Sequence, residues 1–299
     1  MTETPRATGA PRTPSTLVTG AAGNLGREIV DALHARGVRV RCLDRNPAGA
    51  RPGVESVVGD LTDPGVLRSA LAGIDAVLLM WPMLTAAPAH AMLAQLSAES
   101  PTGSEAPRVV YLSSSAVDDG RDRQTDPIVQ VHADMEALLS DAGLRPVVLR
   151  SETLASNVRG WAEQLRAGDV VAGPDIARTA VVDERDVADA AVTALLSDGA
   201  QVGRGPHVLT GPEVLGRADQ VAQLGTALGR RLRFEAVPAE RARARMLADG
   251  RPEALVAALI AASLHRPESG RVTDCVERLV GRAARTFAQW AADHAAEFD

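Results

Sequence analysis

The segment Leu17-Val18-Thr19-Gly20-Ala21-Ala22-Gly23-Asn24-Leu25-Gly26 constrains the fold of this chain more than any other. It leads from a short apolar stretch, residues 16–19, through a G-x-x-G-x-x-G turn into an amphipathic stretch, residues 24–36. Glycine suits such a turn because the backbone must reverse tightly and approach a pyrophosphate closely. The helix that follows must also pack on its strand with no side chain between them. Its first turn offers free N–H groups and the positive end of the helix dipole to phosphate. Gly20, Ala22, Gly23, Asn24, Leu25 and Gly26 are therefore candidate cofactor-binding positions. The spacing alone is a weak signal, and a merely tight turn is the competing reading. Its place at the first strand–helix junction is what gives it meaning.

The pattern that follows supports that placement. Apolar stretches at 38–43, 54–58, 76–80, 109–112 and 146–149 alternate with helical patterns at 64–71, 88–98 and 128–141. The stretches at 76–80 and 109–112 are near-continuously apolar, as expected of strands buried on both faces of a parallel sheet covered by helices. The expected fold is α/β, a Rossmann doubly wound parallel sheet with a smaller, mostly helical C-terminal lobe. Residues 155–166 read as helix, while 179–182 and 186–196 read as one more strand and helix returning to the sheet. Beyond His207, helices are expected at 214–228, 239–248, 252–264, 271–279 and 285–295. The expected division is a flexible tail over 1–14, a nucleotide-binding domain over 15–205 and a substrate-side lobe over 206–299. Residues 151–178 are expected to contribute to the second lobe.

An acid at the end of the second strand accepts hydrogen bonds from an adenosine ribose, about 20 residues beyond the loop. Asp44 stands there and favours NAD, since it would repel a 2′-phosphate. Arg45, next in sequence, argues the other way because it could pair with that phosphate. NAD is favoured slightly over NADP. Asp60 and Leu61, after the third strand, are placed to reach the adenine, with a helix cap for residues 64–71 as the equal alternative for Asp60.

Composition removes several other classes. The net charge of −6 opposes binding to nucleic acid or anionic membranes. The longest apolar run, residues 76–84, is too short to cross a bilayer, and the first residues lack the apolar core of a signal peptide. Cys42 and Cys275 form neither a metal-ligand cluster nor a disulfide framework, so no metal site and a cytoplasmic location are expected. The chain contains no lysine and a single tyrosine, Tyr111. No chemistry that needs a lysine ammonium or Schiff base is available to it.

Further segments carry a resemblance. These are Gly59-Asp60-Leu61, Val110-Tyr-Leu-Ser-Ser-Ser115, Glu136 followed by Gly143-Leu144, and Val182-Asp-Glu-Arg-Asp-Val-Ala188. Leu209-Thr-Gly-Pro212 and Gly281-Arg-Ala-Ala-Arg-Thr-Phe-Ala-Gln-Trp290 complete the set. With the glycine loop, they make the chain resemble the NmrA-like, atypical branch of the short-chain dehydrogenase/reductase superfamily from residue 15 onward. The resemblance implies a nicotinamide cofactor held between two lobes. Members divide between NAD(P)H-dependent reductases and regulators that sense cofactor redox state. The superfamily's usual Tyr-x-x-x-Lys pair is missing, with Ile128 and His132 at those positions. Arg150-Ser151 also stands where Arg-Pro is common.

Hydride transfer asks the protein mainly to place two reactants and exclude water, and to let a proton reach the acceptor. His132 shares a helix face with Ile128 and Glu136. It is a candidate ribose ligand, proton donor or plain structural residue. Ser113, Ser114 and Ser115 end the fifth strand at the edge where ligands bind, with caps and turns as their ordinary alternative. Met80 and Trp81 follow the fourth strand beside the expected nicotinamide. Trp81, Met83, Asn157 and Trp161 are candidate substrate-wall residues, weighed equally against local packing. The leading expectation is an NAD(P)H-dependent reductase of a small apolar or aromatic acceptor. A redox-sensing binding protein and a Rossmann-derived isomerase, lyase or cyclase are the alternatives. The expected partner is a small-molecule substrate, with a homodimer or protein partner left open.

Overall fold

A computed structural model describes residues 13–46, 52–97, 106–197, 202–203 and 205–299; the tail expected over 1–14 falls mostly on residues 1–12, outside them. Six strands appear in the expected order: β1 (Ser15–Thr19), β2 (Arg39–Asp44), β3 (Val54–Val58), β4 (Ala76–Leu79), β5 (Arg108–Ser114) and β6 (Val147–Ser151). A seventh, β9 (His207–Leu209), lies beside β6. The sheet is parallel throughout, in the order β3-β2-β1-β4-β5-β6-β9. Strand order reverses between β1 and β4, and open α/β sheets bind ligands beside such a reversal, outside the carboxyl strand ends. The glycine loop follows β1 there.

Alternating side chains of each strand feed two cores. On one face Val18, Leu78 and Val110 meet Ile29 and Leu33 of α1 (Asn24–Ala35) and Val187 and Ala191 of α6 (Glu184–Leu196). On the other, Leu17, Val77 and Tyr111 meet three helices. These are α2 (Pro64–Leu71), α3 (Ala89–Ser97) and α4 (Pro127–Asp141), through Leu67, Met92 and Met135. Each such aliphatic side chain, fully buried, stabilises the fold by roughly 1.5–3 kcal/mol. Helix starts are fixed by aspartate caps: Asp63 accepts from Gly65 N and Val66 N, and Asp126 from Ile128 N and Val129 N. A proline at the first helical position of α2 and α4 adds a pre-set φ.

The second half departs from expectation in several places. A 3-10 helix (Ala155–Trp161) leads into a short α5 (Ala162–Ala167), not one continuous helix. The segment expected to return to the sheet at 179–182 does not do so. Its strand β8 (Thr179–Ala180) pairs antiparallel with β10 (Val214–Leu215), which occupies the start of the helix expected at 214–228. Helix α7 therefore runs Arg217–Ala227, capped by Gly216. Two further strands were not anticipated, β7 (Val170–Gly173) and β11 (Arg233–Ala236), paired in parallel. Helices α8 (Ala239–Ala248) and α9 (Glu253–His265) follow, and of the helix expected at 271–279 only α10 (Cys275–Val280) forms. The division expected at residue 205 falls just before β9, which belongs to the main sheet.

The C-terminal signature is a clamp on α6. Asp186, fully buried, pairs with both Arg282 and Arg285. Glu184, also fully buried, accepts from Arg159, Ser156 N and the Trp290 indole N–H. Trp290 lies on α11 (Phe287–Asp293), which opens with a Thr286–Gln289 capping box. No helix among the described residues is long and apolar enough to cross a membrane, and no group of three or more metal-ligating side chains forms among them.

Candidate functional site

The glycine loop takes the shape its residues imply. Gly20 has φ +67°, a conformation that favours glycine, and the Gly23 N–H donates to Gly20 O at 3.2 Å. A Cβ on Gly26 would stand 2.2 Å from Gly20 O, so only glycine lets α1 approach β1 this closely. Gly23 caps α1 with no side-chain hydrogen bond, which leaves the first-turn N–H groups open to an anion. Asn24 Oδ1 accepts from Arg27, while Leu25 and Leu61 direct their side chains into the core. Met80 closes against the loop: its Cε would lie 3.4 Å from a Cβ on Gly20. Its backbone is bound on both sides by the Thr19 hydroxyl, at 2.8 and 3.0 Å.

Asp44 ends β2 beside this loop. Burial raises its pKa, partly offset by backbone N–H groups of Ala22 and Ala21. Its Oδ2 is buried without a hydrogen-bond partner. A buried acceptor without a donor is costly, and a ribose hydroxyl has the chemistry to satisfy it. Arg45 is exposed. Asp60 is exposed too, and its Oδ1 accepts from the Thr62 N–H and hydroxyl at 2.8 and 2.7 Å, which lowers its pKa. The cap of α2 weighed for Asp60 is in fact Asp63.

A cavity of about 600 Å³ opens at the carboxyl ends of β5 and β6, roofed by α8 and α9. Ser113, Ser114, Ser115 and His132 all line it, as does Asn157. They are not equivalent. Ser113 donates its hydroxyl to Glu136 Oε1 at 2.5 Å, so that proton is committed. Glu136 and Asp119 together hold Arg150, through contacts of 2.7 and 2.5 Å. Ser114 Oγ accepts a 3.3 Å bond from Ala116 N, leaving its O–H proton uncommitted. Asp126, through Oδ2, takes Arg266 at 2.8 Å and fastens the roof to the start of α4.

His132 is held by the chain's one tyrosine. Tyr111 is fully buried, and its Oη lies 2.9 Å from His132 Nδ1. Among the described residues the phenol has no other hydrogen-bond partner, so the tautomer that satisfies both groups has the phenol donating to Nδ1 and the imidazole proton on Nε2. Nε2 makes no hydrogen bond to protein among the described residues, and His132 lines the cavity. Burial lowers the His132 pKa to about 4, against the opposing charge of Glu136 and with help from Arg266. Burial, reinforced by Glu136, pushes the Tyr111 phenol far above its ordinary value. The pair is neutral and presents one N–H donor.

Three expected wall residues lie elsewhere. Trp81 is buried in the core under the sheet edge, its indole N–H donating to Thr85 O at 2.9 Å. Met83 packs on the same cluster. Both join the apolar cluster that α3 contributes through Ala89, Met92, Leu93 and Leu96. Trp161 lines a neighbouring cavity and carries the guanidinium of Arg217 5.1 Å above its ring. Sequence reasoning missed Arg217 and Glu152, both of which line the main cavity. Arg217 sat inside a misread helix. Glu152 follows β6 directly and is visible only as an acid at a strand end.

The model of the NAD(P)H-binding family matches residues 20–198. The (4-alkanoyl-5-oxo-2,5-dihydrofuran-3-yl)methyl phosphate reductase of Streptomyces griseus is 36% identical over 94% of this chain and 98% of its own length. The NAD(P)H azoreductase of Xenophilus azovorans is 30% identical over 94% and 98%. Among solved structures, the Escherichia coli NADPH-dependent quinone oxidoreductase complexed with NADPH shares the fold. Its TM-score is 0.74 at 21% identity, with 93% of this chain and 99% of that one covered. The glycine loop, the seven-stranded sheet and these relatives agree: the chain belongs to the NAD(P)H-binding family of the short-chain dehydrogenase/reductase superfamily, and it is an NAD(P)H-dependent oxidoreductase.

Proposed function

We propose that this protein is an NmrA-like reductase that takes its reducing equivalents from NADH in preference to NADPH and acts on a small acceptor with a polarised double bond. The observation that carries this reading is the common edge: the intact glycine loop and the cavity of His132, Ser114 and Ser115 both lie at the carboxyl ends of one parallel sheet. Gly20, Gly23 and Gly26 shape the pyrophosphate seat, and Asp44 Oδ2 takes the adenosine ribose, with Ala22, Asn24 and Met80 against the loop. The nicotinamide, when bound, supplies the hydride.

His132 orients the acceptor or the ribose with its Nε2–H, and Ser114 and Ser115 offer hydroxyls to the acceptor oxygen. His132 is not a strong acid here. Giving up Nε2–H would draw the phenol proton of Tyr111 onto Nδ1 and leave a buried phenolate next to Glu136, which burial forbids. The proton therefore comes from water through the open cavity. Acceptors whose reduced form stabilises its own negative charge suit such a site. Quinones, enones, imines and azo compounds have that property. The relatives named for an azo substrate and for an alkanoyl-oxo-dihydrofuran fit the same chemistry. Loss of NADH absorbance with a panel of quinones, enones, imines and azo compounds tests the proposal. Turnover of none of them, in a protein that binds NADH, contradicts it.

A further inference from the structure

The His132 cavity contains a cation that no carboxylate among the described residues pairs with. Arg217, the first residue of α7, lines both the main cavity and a second one of about 530 Å³ that shares Asn157, Pro174 and Met246 with it. Its guanidinium rests on the Trp161 ring at 5.1 Å. No carboxylate forms an ion pair with it among the described residues, and its guanidinium makes no hydrogen bond to protein there. Arg251, on the rim of the second cavity, is exposed to water, and the remaining arginines near these cavities are engaged. Arg266 is held by Asp126, Arg271 donates to Ser115 O, and Arg245 donates to Gln164.

A desolvated, unpaired charge is expensive, and proteins keep one where a ligand supplies the opposite charge. Burial lowers even this guanidinium's pKa, to about 10, and only the more distant Asp175 opposes that. The indole face fixes the plane of the fork, so its N–H groups point in a set direction without a protein acceptor. In a chain without lysine, arginine is also the sole strong side-chain cation. No residue of the glycine loop lines either cavity, so the pyrophosphate of a dinucleotide is not what Arg217 faces.

We propose that Arg217 anchors an oxyanion, a carboxylate or a phosphate ester, on the acceptor whose reducible group meets His132 and Ser114. This rests on the reductase reading of the cavity. It adds that the acceptor is two-ended, with a conjugated apolar head and a charged tail. The planar fork takes two anion oxygens at once, a geometry that suits carboxylate and phosphate alike.

The test is calorimetric titration of the full-length protein with benzoate, phenyl phosphate and neutral benzyl alcohol, in the wild type and in Arg217→Met. The methionine keeps an apolar stem on Trp161 and removes the charge. At least one anion should bind the wild type more tightly than benzyl alcohol, and the variant should weaken it roughly tenfold to a hundredfold, the worth of a charge-assisted hydrogen bond. Binding of benzyl alcohol and of NADH should be unchanged, which also reports a folded variant. Arg217→Lys should recover part of the lost affinity. The tighter of the two anions identifies the tail. Equal binding of anion and alcohol to the wild type, or equal anion binding to Arg217→Met, overturns the proposal. The reductase reading stands or falls separately, on NADH oxidation with a neutral quinone.

Discussion

Tyr111 Oη on β5 lies 2.9 Å from Nδ1 of His132 on α4, and this contact decides which nitrogen His132 shows to the cavity. Tyr111→Phe keeps the ring packing and frees Nδ1. The imidazole then redistributes its proton between two tautomers, only one of which donates from Nε2. Activity should fall several-fold through kcat or KM for the acceptor, while NADH affinity changes little. Stability should drop by about 1 kcal/mol, the net worth of a buried hydrogen bond. Steady-state kinetics with denaturant unfolding checks both, and an unchanged rate would show that the tautomer is irrelevant.

The same contact predicts a pH signature. His132 has a pKa of about 4 in the folded protein against an ordinary 6.5, so between those values the unfolded chain binds the extra proton. Stability therefore rises with pH across that window and is lost as pH falls through it. Glu136 and Asp126 oppose this shift and Arg266 adds to it, so the slope is set by burial. His132→Gln should flatten the wild-type slope of unfolding free energy between about pH 6.5 and 4. Identical slopes in the two proteins would contradict the assignment.

At the glycine loop, Gly26→Ala places a methyl 2.2 Å from Gly20 O and forces strand and helix apart. NADH affinity should fall by at least about tenfold, or ~1.4 kcal/mol. Overpacking should also cost about 1–3 kcal/mol of stability. Titration calorimetry alongside circular dichroism separates lost binding from lost fold.

Asp44 and Arg45 make opposing demands on the cofactor, and the proposed use of NADH assigns the ribose hydroxyls to the Asp44 carboxylate. Asp44→Asn should weaken NADH roughly tenfold and bring NADPH closer to it, since a repulsive charge is gone. A wild type that binds NADPH more tightly than NADH would reverse the assignment.

The caps that start α2 and α4, Asp63 and Asp126, were not singled out in the sequence, but among the first six strands β1, β4 and β5 were legible because they are buried and read as apolar runs. The C-terminal strands were not. His207–Leu209 and Val214–Leu215 are two or three residues long, too short for any period to register, and the strand read at 179–182 is confined to Thr179–Ala180 and pairs outside the main sheet. The cavity serines and His132 were found through strand-end position and helical spacing. Trp81 misled because an aromatic in a loop has the same local signature whether it faces a ligand or plugs a core. Arg217 left no sequence trace, since its isolation from carboxylates exists only in three dimensions.

The central claim is hydride transfer from a bound nicotinamide to an acceptor in the His132 cavity. The most direct test uses NADH carrying deuterium at the transferable position, with an enone or imine acceptor, whose reduced carbon does not exchange its hydrogen with water. The account predicts one deuterium in the reduced product for each NADH consumed, with loss of label transfer in Gly26→Ala. Product formed without NADH consumption or label would instead mean isomerase, lyase or cyclase chemistry on this fold.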